Sequence, residues 1–304
     1  MQNSLPMIRW FRFCLILVVC IVSISHVSRA ETITIGTISI DPIDEARTFK
    51  PFSEYLTRQL ATIGVQSVDI KIARDIDDAI AMLKEKKIDF FIDSSVTASY
   101  INSRSGSKFL LRRWKKAKGK YRSVIFVNSD SPIKDLSELL GKTVAFEEPF
   151  STSGYMLPGV AMLRSGLRLS RLESFRSKAP TDKVGFVMAN DNETQIAWVE
   201  RDIVEAAAMS EGDFREFIKS ALKPMRILHT TSYVPYHVIT HRADLDQKYV
   251  KRMKDVLLAA HETDDGKKYL ASFERTLKFD EIPDGLLAEV KKLAPYISNL
   301  QLTR

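Results

Sequence analysis

Between Thr32 and Ile92 the sequence repeatedly switches hydrophobic period, and that switching restricts the chain to one fold class. Thr32 to Ile40 alternates apolar and polar residues in a β-branched run, the pattern of a half-buried strand. Phe52, Leu56 and Leu60 recur at helical spacing, which predicts a helix over Phe49 to Leu60. Val68 to Ile72 alternates again as a second strand. Ile76, Ala79, Ile80 and Leu83 share one helical face between Asp75 and Lys84. Ile88 to Ile92 is an apolar strand interrupted by Asp89. Strand, helix, strand, helix, strand is the order of a parallel α/β sheet. Such sheets bind ligands beyond the carboxyl ends of their strands. Asp93-Ser94-Ser95 stands at such an end, so Ser94 and Ser95 are candidate cleft residues, although turn residues at a strand end are more commonly structural.

The pattern resumes at Tyr121 to Asn128, a strong strand stopped by Asp130-Ser131-Pro132. Thr143 to Phe146 is the next strand and Pro149 to Gly154 a turn. A second α/β stretch runs to about residue 225. Met225 to Tyr233 and Val234 to Thr240 read as strands divided near Pro235, and helical patterns at Lys248 to Ala260 and Leu286 to Leu293 close the chain. The 304 residues are long for one compact domain and suit two lobes. Without a linker-like segment, the lobes should share chain crossings. Residues 31–128 and 235–304 would form the first lobe and 129–234 the second, with hinge segments near Asn128 and Ser232.

Residues 1–30 read as a secretory signal peptide. Arg9 and Arg12 precede an apolar run from Phe13 to Ile24 that is too short to span a bilayer, and Ser28 and Ala30 supply small residues ahead of Glu31. Removing this segment takes away three Arg and no acid. It leaves 42 basic against 38 acidic side chains, a formal charge of +4, too mild for a dedicated nucleic-acid binder. Both cysteines, Cys14 and Cys20, leave with the segment, so neither disulfide nor Cys metal ligand is expected in the 274 residues that remain. The expected location is the periplasm, and no cofactor or metal is expected.

The chemistry concentrates at Glu147-Glu148-Pro149-Phe150-Ser151-Thr152-Ser153-Gly154. A strand ends, a loop turns, and a helix begins near Ser151 with three hydroxyl residues in its first turn. Helix starts carry unpaired N–H groups and a partial positive end, so with hydroxyl donors they can surround an oxyanion. Gly154 lets backbone approach a ligand closely. An ordinary N-cap would use the same residue types.

The run from Tyr121 to Pro158 resembles the phosphonate-binding proteins of ABC import systems, in the type II periplasmic binding protein class. The resemblance rests on Tyr121, Ser123 and Val124, then Asp130-Ser131-Pro132-Ile133, Leu136 and Leu139 before Gly141, Glu148-Pro149, and Ser151-Thr152-Ser153-Gly154-Tyr155. It implies two α/β lobes joined by a two-segment hinge. Ser151, Thr152 and Ser153 would donate to phosphoryl oxygens, with Gly154 beside them and Tyr121 walling the pocket or donating its phenol. Asn192 stands where the family usually has a phosphoryl-contacting His, and its amide donates but cannot become cationic. Family members that hold an amine use acidic residues at positions near His237 and Gly212 here, with Glu211 and Asp213 adjacent to the latter. The ligand should therefore be phosphate, phosphite or a simple phosphonate lacking an ammonium, unless a register shift brings Asp213 into that place. The resemblance implies a monomeric binder, not an enzyme, that delivers its ligand to an ABC permease; a sensor that presents the closed form to a kinase needs the same fold.

Three other features carry less. Gly141-Lys142-Thr143 lacks the upstream glycine of a P-loop. His237 and His241, four apart in a strand, would stand roughly 13 Å from each other, too far to share a metal. Arg112-Arg113-Trp114-Lys115-Lys116, with Lys118 and Lys120, reads as a solvated basic loop.

Overall fold

The opening alternation forms β1 (Glu31–Ile38), which buries Ile33 and Ile35. The computed structural model describes residues 31–302, so the signal-peptide reading of residues 1–30 lies outside the described residues. The helix expected from Phe49 starts earlier, as α1 (Pro42–Leu60). Proline in its first turn and the Asp41 carboxylate, which accepts from Asp44 N, set the start there. β2 (Val65–Ala73) pairs parallel with β1. α2 (Ile76–Lys84) is capped by Asp75, and β3 (Phe90–Ser94) lies parallel on the other edge of β1. α3 (Ser95–Ser105) leaves directly from the end of β3, and β4 (Lys108–Arg113) follows.

The chain then crosses through β5 (Lys120–Tyr121) into β6 (Ser123–Asn128) and β7 (Thr143–Phe146). A single π turn over Thr152–Met156 runs into α4 (Leu157–Arg164). β8 (Leu169–Arg171), β9 (Val184–Met188), α5 (Asn192–Glu200), β10 (Ala206–Ser210), α6 (Glu211–Phe217) and β11 (Met225–Thr230) complete the second half. The chain returns through β12 (Val234–Pro235) to β13 (His237–His241), α7 (Gln247–Ala259), α8 (Asp264–Ser272), β14 (Phe279–Asp280) and α9 (Asp284–Ile297).

Two six-stranded sheets result, in the orders β14-β4-β13-β3-β1-β2 and β11-β6-β10-β7-β9-β8. Both are mixed: β13 runs antiparallel to β3 and β4, and β6 antiparallel to β10 and β11. This is the two-lobed α/β architecture expected from the sequence. The expected lobe limits need correction. Residues 123–128 pair with β10 and β11, so they belong to the second sheet and not to the first lobe. The crossing lies instead where Tyr121 pairs with Val234 in the two-stranded β5–β12 ribbon. The apolar run from Tyr121 to Asn128 hides this break, because Arg122 between the two strands barely interrupts it.

Each half has its own aromatic core. Phe52 stacks on Phe273 at 4.4 Å in the first, and Phe146, Tyr155 and Phe186 cluster within 5.0–5.6 Å in the second. One apolar cluster runs through both and takes in Val290, Leu293 and Ile297 of α9. The Tyr155 hydroxyl accepts from Gln301 N at 3.0 Å, so the C-terminal segment, expected in the first lobe alone, also ties down the second.

Candidate ligand-binding cleft

Two strands feed helices here: β3 in the first sheet runs straight into α3, and β7 in the second leads through a short turn into the helix that starts at Thr152. The starts of those helices meet. Thr97 N donates to Thr152 Oγ1 at 3.3 Å, and Thr97 Oγ1 donates to Phe150 O at 2.5 Å. Thr152 Oγ1 donates in turn to Ser94 Oγ at 2.9 Å. Ser94, Thr97 and Thr152 are all buried.

Each tip has a carboxylate of its own. Asp93 Oδ1 accepts from Ser94 N at 2.6 Å and lies 2.9 Å from Ser94 Oγ. Glu147 Oε2 accepts from Ser151 Oγ at 2.6 Å, while Ser151 Oγ accepts from Gly154 N at 2.9 Å. A Cβ on Gly154 would lie 2.4 Å from Glu147 Cβ, so only glycine lets the turn close over that side chain. Ser123 Oγ fixes the turn from below by donating to Ser153 O at 2.6 Å. The Ser153 hydroxyl, half-buried, has no protein partner among the described residues.

Burial dominates the electrostatics. It pushes the Asp93 carboxyl up to about 6 against the Ser94 hydrogen bonds, and raises Glu147 against that of Ser151. The Tyr121 phenol is held well above its usual value by burial and then by Tyr236, with Asp93 and Glu147 adding to the rise. Its ring lies 4.2 Å from that of Tyr236, at the floor of the cleft.

The structure thus gathers Ser94, Ser151, Thr152, Ser153, Gly154 and Tyr121. Two of the three hydroxyls expected to face a ligand are engaged instead: Ser151 by Glu147, and Thr152 by Ser94 and Thr97. Ser95 is not part of the tip contact; fully buried, its hydroxyl donates to Pro235 O at 2.7 Å and tethers α3 to the hinge. Asn192 opens α5 with its Oδ1 buried and unpartnered, next to Asp191, whose charge is felt at Glu147. His237 lies in register between Ser94 and Arg113. Burial, then Lys115 and Arg113, hold it neutral. Sequence reasoning missed Asp93, Thr97, Glu147 and Tyr236 as site residues. An acid at the carboxyl end of a buried strand, as at Asp93 and Glu147, was the available signal.

Only the end of the basic run, at Lys118 and Lys120, is solvated; the rest is packed and paired. Arg112 makes two bonds to Asp280, at 2.8 and 2.6 Å. Arg113 is fully buried and bonds Phe273 O and Glu274, and Lys115 pairs with Glu274 at 2.5 Å. Lys116 reaches the second half and pairs with Asp213 at 2.7 Å. Beyond Tyr121 and Tyr236 this loop walls a cavity of about 480 Å³. A larger groove of about 1010 Å³, lined by Phe175 and Trp198, has none of the tip residues in its wall. Among the described residues no cluster of His, Cys, Asp or Glu is placed to hold a metal, and no helix is long and apolar enough to cross a membrane.

Residues 36–285 match the family model for the periplasmic substrate-binding protein of phosphonate ABC transporters. No curated protein matches the chain. Among solved structures, XAC2383 from Xanthomonas citri bound to chloride ion is 26% identical with a TM-score of 0.81, over 88% of this chain and 97% of that one. The same protein bound to ATP matches at 25% identity and a TM-score of 0.81, with the same coverage. PhnD1 from Prochlorococcus marinus in complex with methylphosphonate is 18% identical with a TM-score of 0.65, over 89% of this chain and 100% of that one, and shares the fold.

Proposed function

The chain belongs to the periplasmic substrate-binding proteins of phosphonate ABC transporters, and from that premise we propose that it captures a phosphorus oxyanion between its two helix tips and carries it to a membrane permease. One observation supports this most: helix N-termini from opposite halves meet within hydrogen-bonding distance, at Thr97 and Thr152. Their positive ends repel each other unless negative charge stands between them. Asp93 and Glu147 supply part of that charge. A phosphoryl group would supply more, held by the N–H groups of Thr152 and Ser153 and by the Ser153 hydroxyl. Thr152 would exchange its bond to Ser94 for one to the ligand. The nearby carboxylates favour a ligand that still carries a P–OH proton to donate, which sulfate lacks. The similar protein from Xanthomonas citri has been solved bound to ATP, a ligand that carries phosphoryl groups.

Tyr121 lies in β5, one of the two crossing strands. Ligand that bridges the tips would stabilise the closed arrangement over an open one. No step of this scheme breaks a bond in the ligand, so the protein acts as a carrier. Micromolar affinity requires about −8 kcal/mol, within reach of a handful of charge-assisted hydrogen bonds at roughly 1.5–3 kcal/mol each.

Calorimetric titration with methylphosphonate, phosphite, phosphate and sulfate tests the proposal. At least one phosphorus oxyanion should bind at micromolar concentration and sulfate far more weakly. Ser153→Ala should weaken binding roughly ten- to hundred-fold. If every phosphorus oxyanion binds only at millimolar concentration or above, the reading is wrong. Ligand recovered chemically changed would instead make the protein an enzyme.

A further inference from the structure

We infer that the ligand carries a second anionic group, as a diphosphate or a phosphonocarboxylate does, received by a basic vestibule beside the tips. This rests on the tip reading above and extends it to the far end of the ligand.

The vestibule is the cavity of about 480 Å³ that shares Tyr121 and Tyr236 with the cleft. Both halves line it, and its wall carries five cations, Lys116, Lys118, Lys120, Arg122 and Arg275, against three carboxylates, Glu211, Asp213 and Glu216. The carboxylates are largely spoken for. Glu211 accepts from Arg122 at 2.7 Å and from Arg215 at 2.7 Å, and Asp213 is held by Lys116 and Ser210. Lys118, Lys120 and Arg275 have no carboxylate partner among the described residues; Lys120 lies 4.8 Å over the Tyr233 ring.

The protein places its own ammonium groups along this wall. Lys116 occupies Asp213, and Lys118 Nζ comes so near Gly212 that a Cβ would lie 2.8 Å from it. An incoming ammonium would meet repulsion, and an incoming anion would meet three uncommitted cations. Backbone strain marks the same wall. Lys116 and Ala117 adopt left-handed φ of 50° and 57°, and facing them Glu274 and Arg275 adopt 49° and 53°. Consecutive non-glycine residues in that region are costly, and such cost is commonly kept where geometry serves a ligand.

The test is calorimetry with four probes: methylphosphonate, inorganic pyrophosphate, phosphonoacetate and 2-aminoethylphosphonate. Pyrophosphate or phosphonoacetate should bind at least ten-fold tighter than methylphosphonate, and 2-aminoethylphosphonate more weakly than methylphosphonate. In the triple variant Lys118→Gln, Lys120→Gln, Arg275→Gln the affinity ratio of pyrophosphate to methylphosphonate should fall at least ten-fold. These side chains are largely exposed, so unchanged thermal unfolding will certify the variant as folded. If methylphosphonate binds and the second anion adds nothing, or if 2-aminoethylphosphonate binds best, the vestibule inference falls while the tip reading stands. If no probe binds, this inference falls, and the tip reading falls with it when phosphate and phosphite also fail to bind.

Discussion

The two ends of the cleft are built on opposite electrostatic plans. At the tips there is no lysine or arginine; donors are hydroxyls and backbone N–H groups, and the fixed charges, Asp93 and Glu147, are negative. Past Tyr121 and Tyr236 the wall is crowded with lysines and arginines that are only partly neutralised. Each tip is built from residues adjacent in sequence, although the two tips come from opposite halves; the vestibule is built from a loop of one half and a helix of the other. A neutral-donor cradle discriminates by shape and by where hydrogens lie, whereas a cationic wall attracts any anion and is screened by salt. The contrast suggests that the tips set which oxyanion fits and the vestibule sets how strongly a longer anion is held.

The hardest blow to this contrast would come through Arg113, the anchor of the basic loop. It is fully buried against Phe273 and Glu274, so Arg113→Ala should cost about 2–5 kcal/mol in urea unfolding, because it leaves a cavity and removes one of the two cations that hold Glu274. A cost below about 1 kcal/mol would mean that the loop is not held this way. The matching test at the tips is Gly154→Ala. Its methyl would overlap Glu147 Cβ, which predicts a loss of about 1–3 kcal/mol together with loss of ligand binding. Thr97→Val should cost roughly 1 kcal/mol, by removing the donor to Phe150 O across the tips. The variant should also scatter X-rays at small angle as a more open molecule; unchanged dimensions would show that this contact does not hold the halves together.

The smallest effect is a pH signature that separates the two ends. Asp93 has its pKa raised by burial from 3.8 to about 6, so the folded state binds the extra proton in that window. Stability from this group is present at low pH and is lost as pH rises from about 4 to about 6. Asp93→Asn should therefore match wild type near pH 4 and exceed it in melting temperature at pH 7. Glu274, held down by Lys115 and Arg113 despite its burial, behaves oppositely. Its contribution is present above its ordinary value of 4.5 and is lost as pH falls below that, so Glu274→Gln should remove acid sensitivity at the vestibule end. Parallel pH profiles for the two variants would contradict the contrast.

The sequence by itself determined the alternation of strands and helices, the α/β class and the hydroxyl-rich turn at Ser151-Thr152-Ser153. These depend on hydrophobic period and on backbone donors at a helix start, both of which are local. It also implied two interleaved halves, through the absence of any linker. Only the tertiary structure decided where the chain crosses, because Tyr121 and Ser123 look like one strand until their partners, Val234 and Ser210, are known. It alone decided that Thr152 meets Ser94, that Ser95 serves the hinge, and that Lys115 and Lys116 turn inward to Glu274 and Asp213. The physical reason is the same in each case. A side chain's charge or hydroxyl acts over a few ångströms in space, and groups 58 or 97 residues apart in sequence come that close only after both sheets have folded and met.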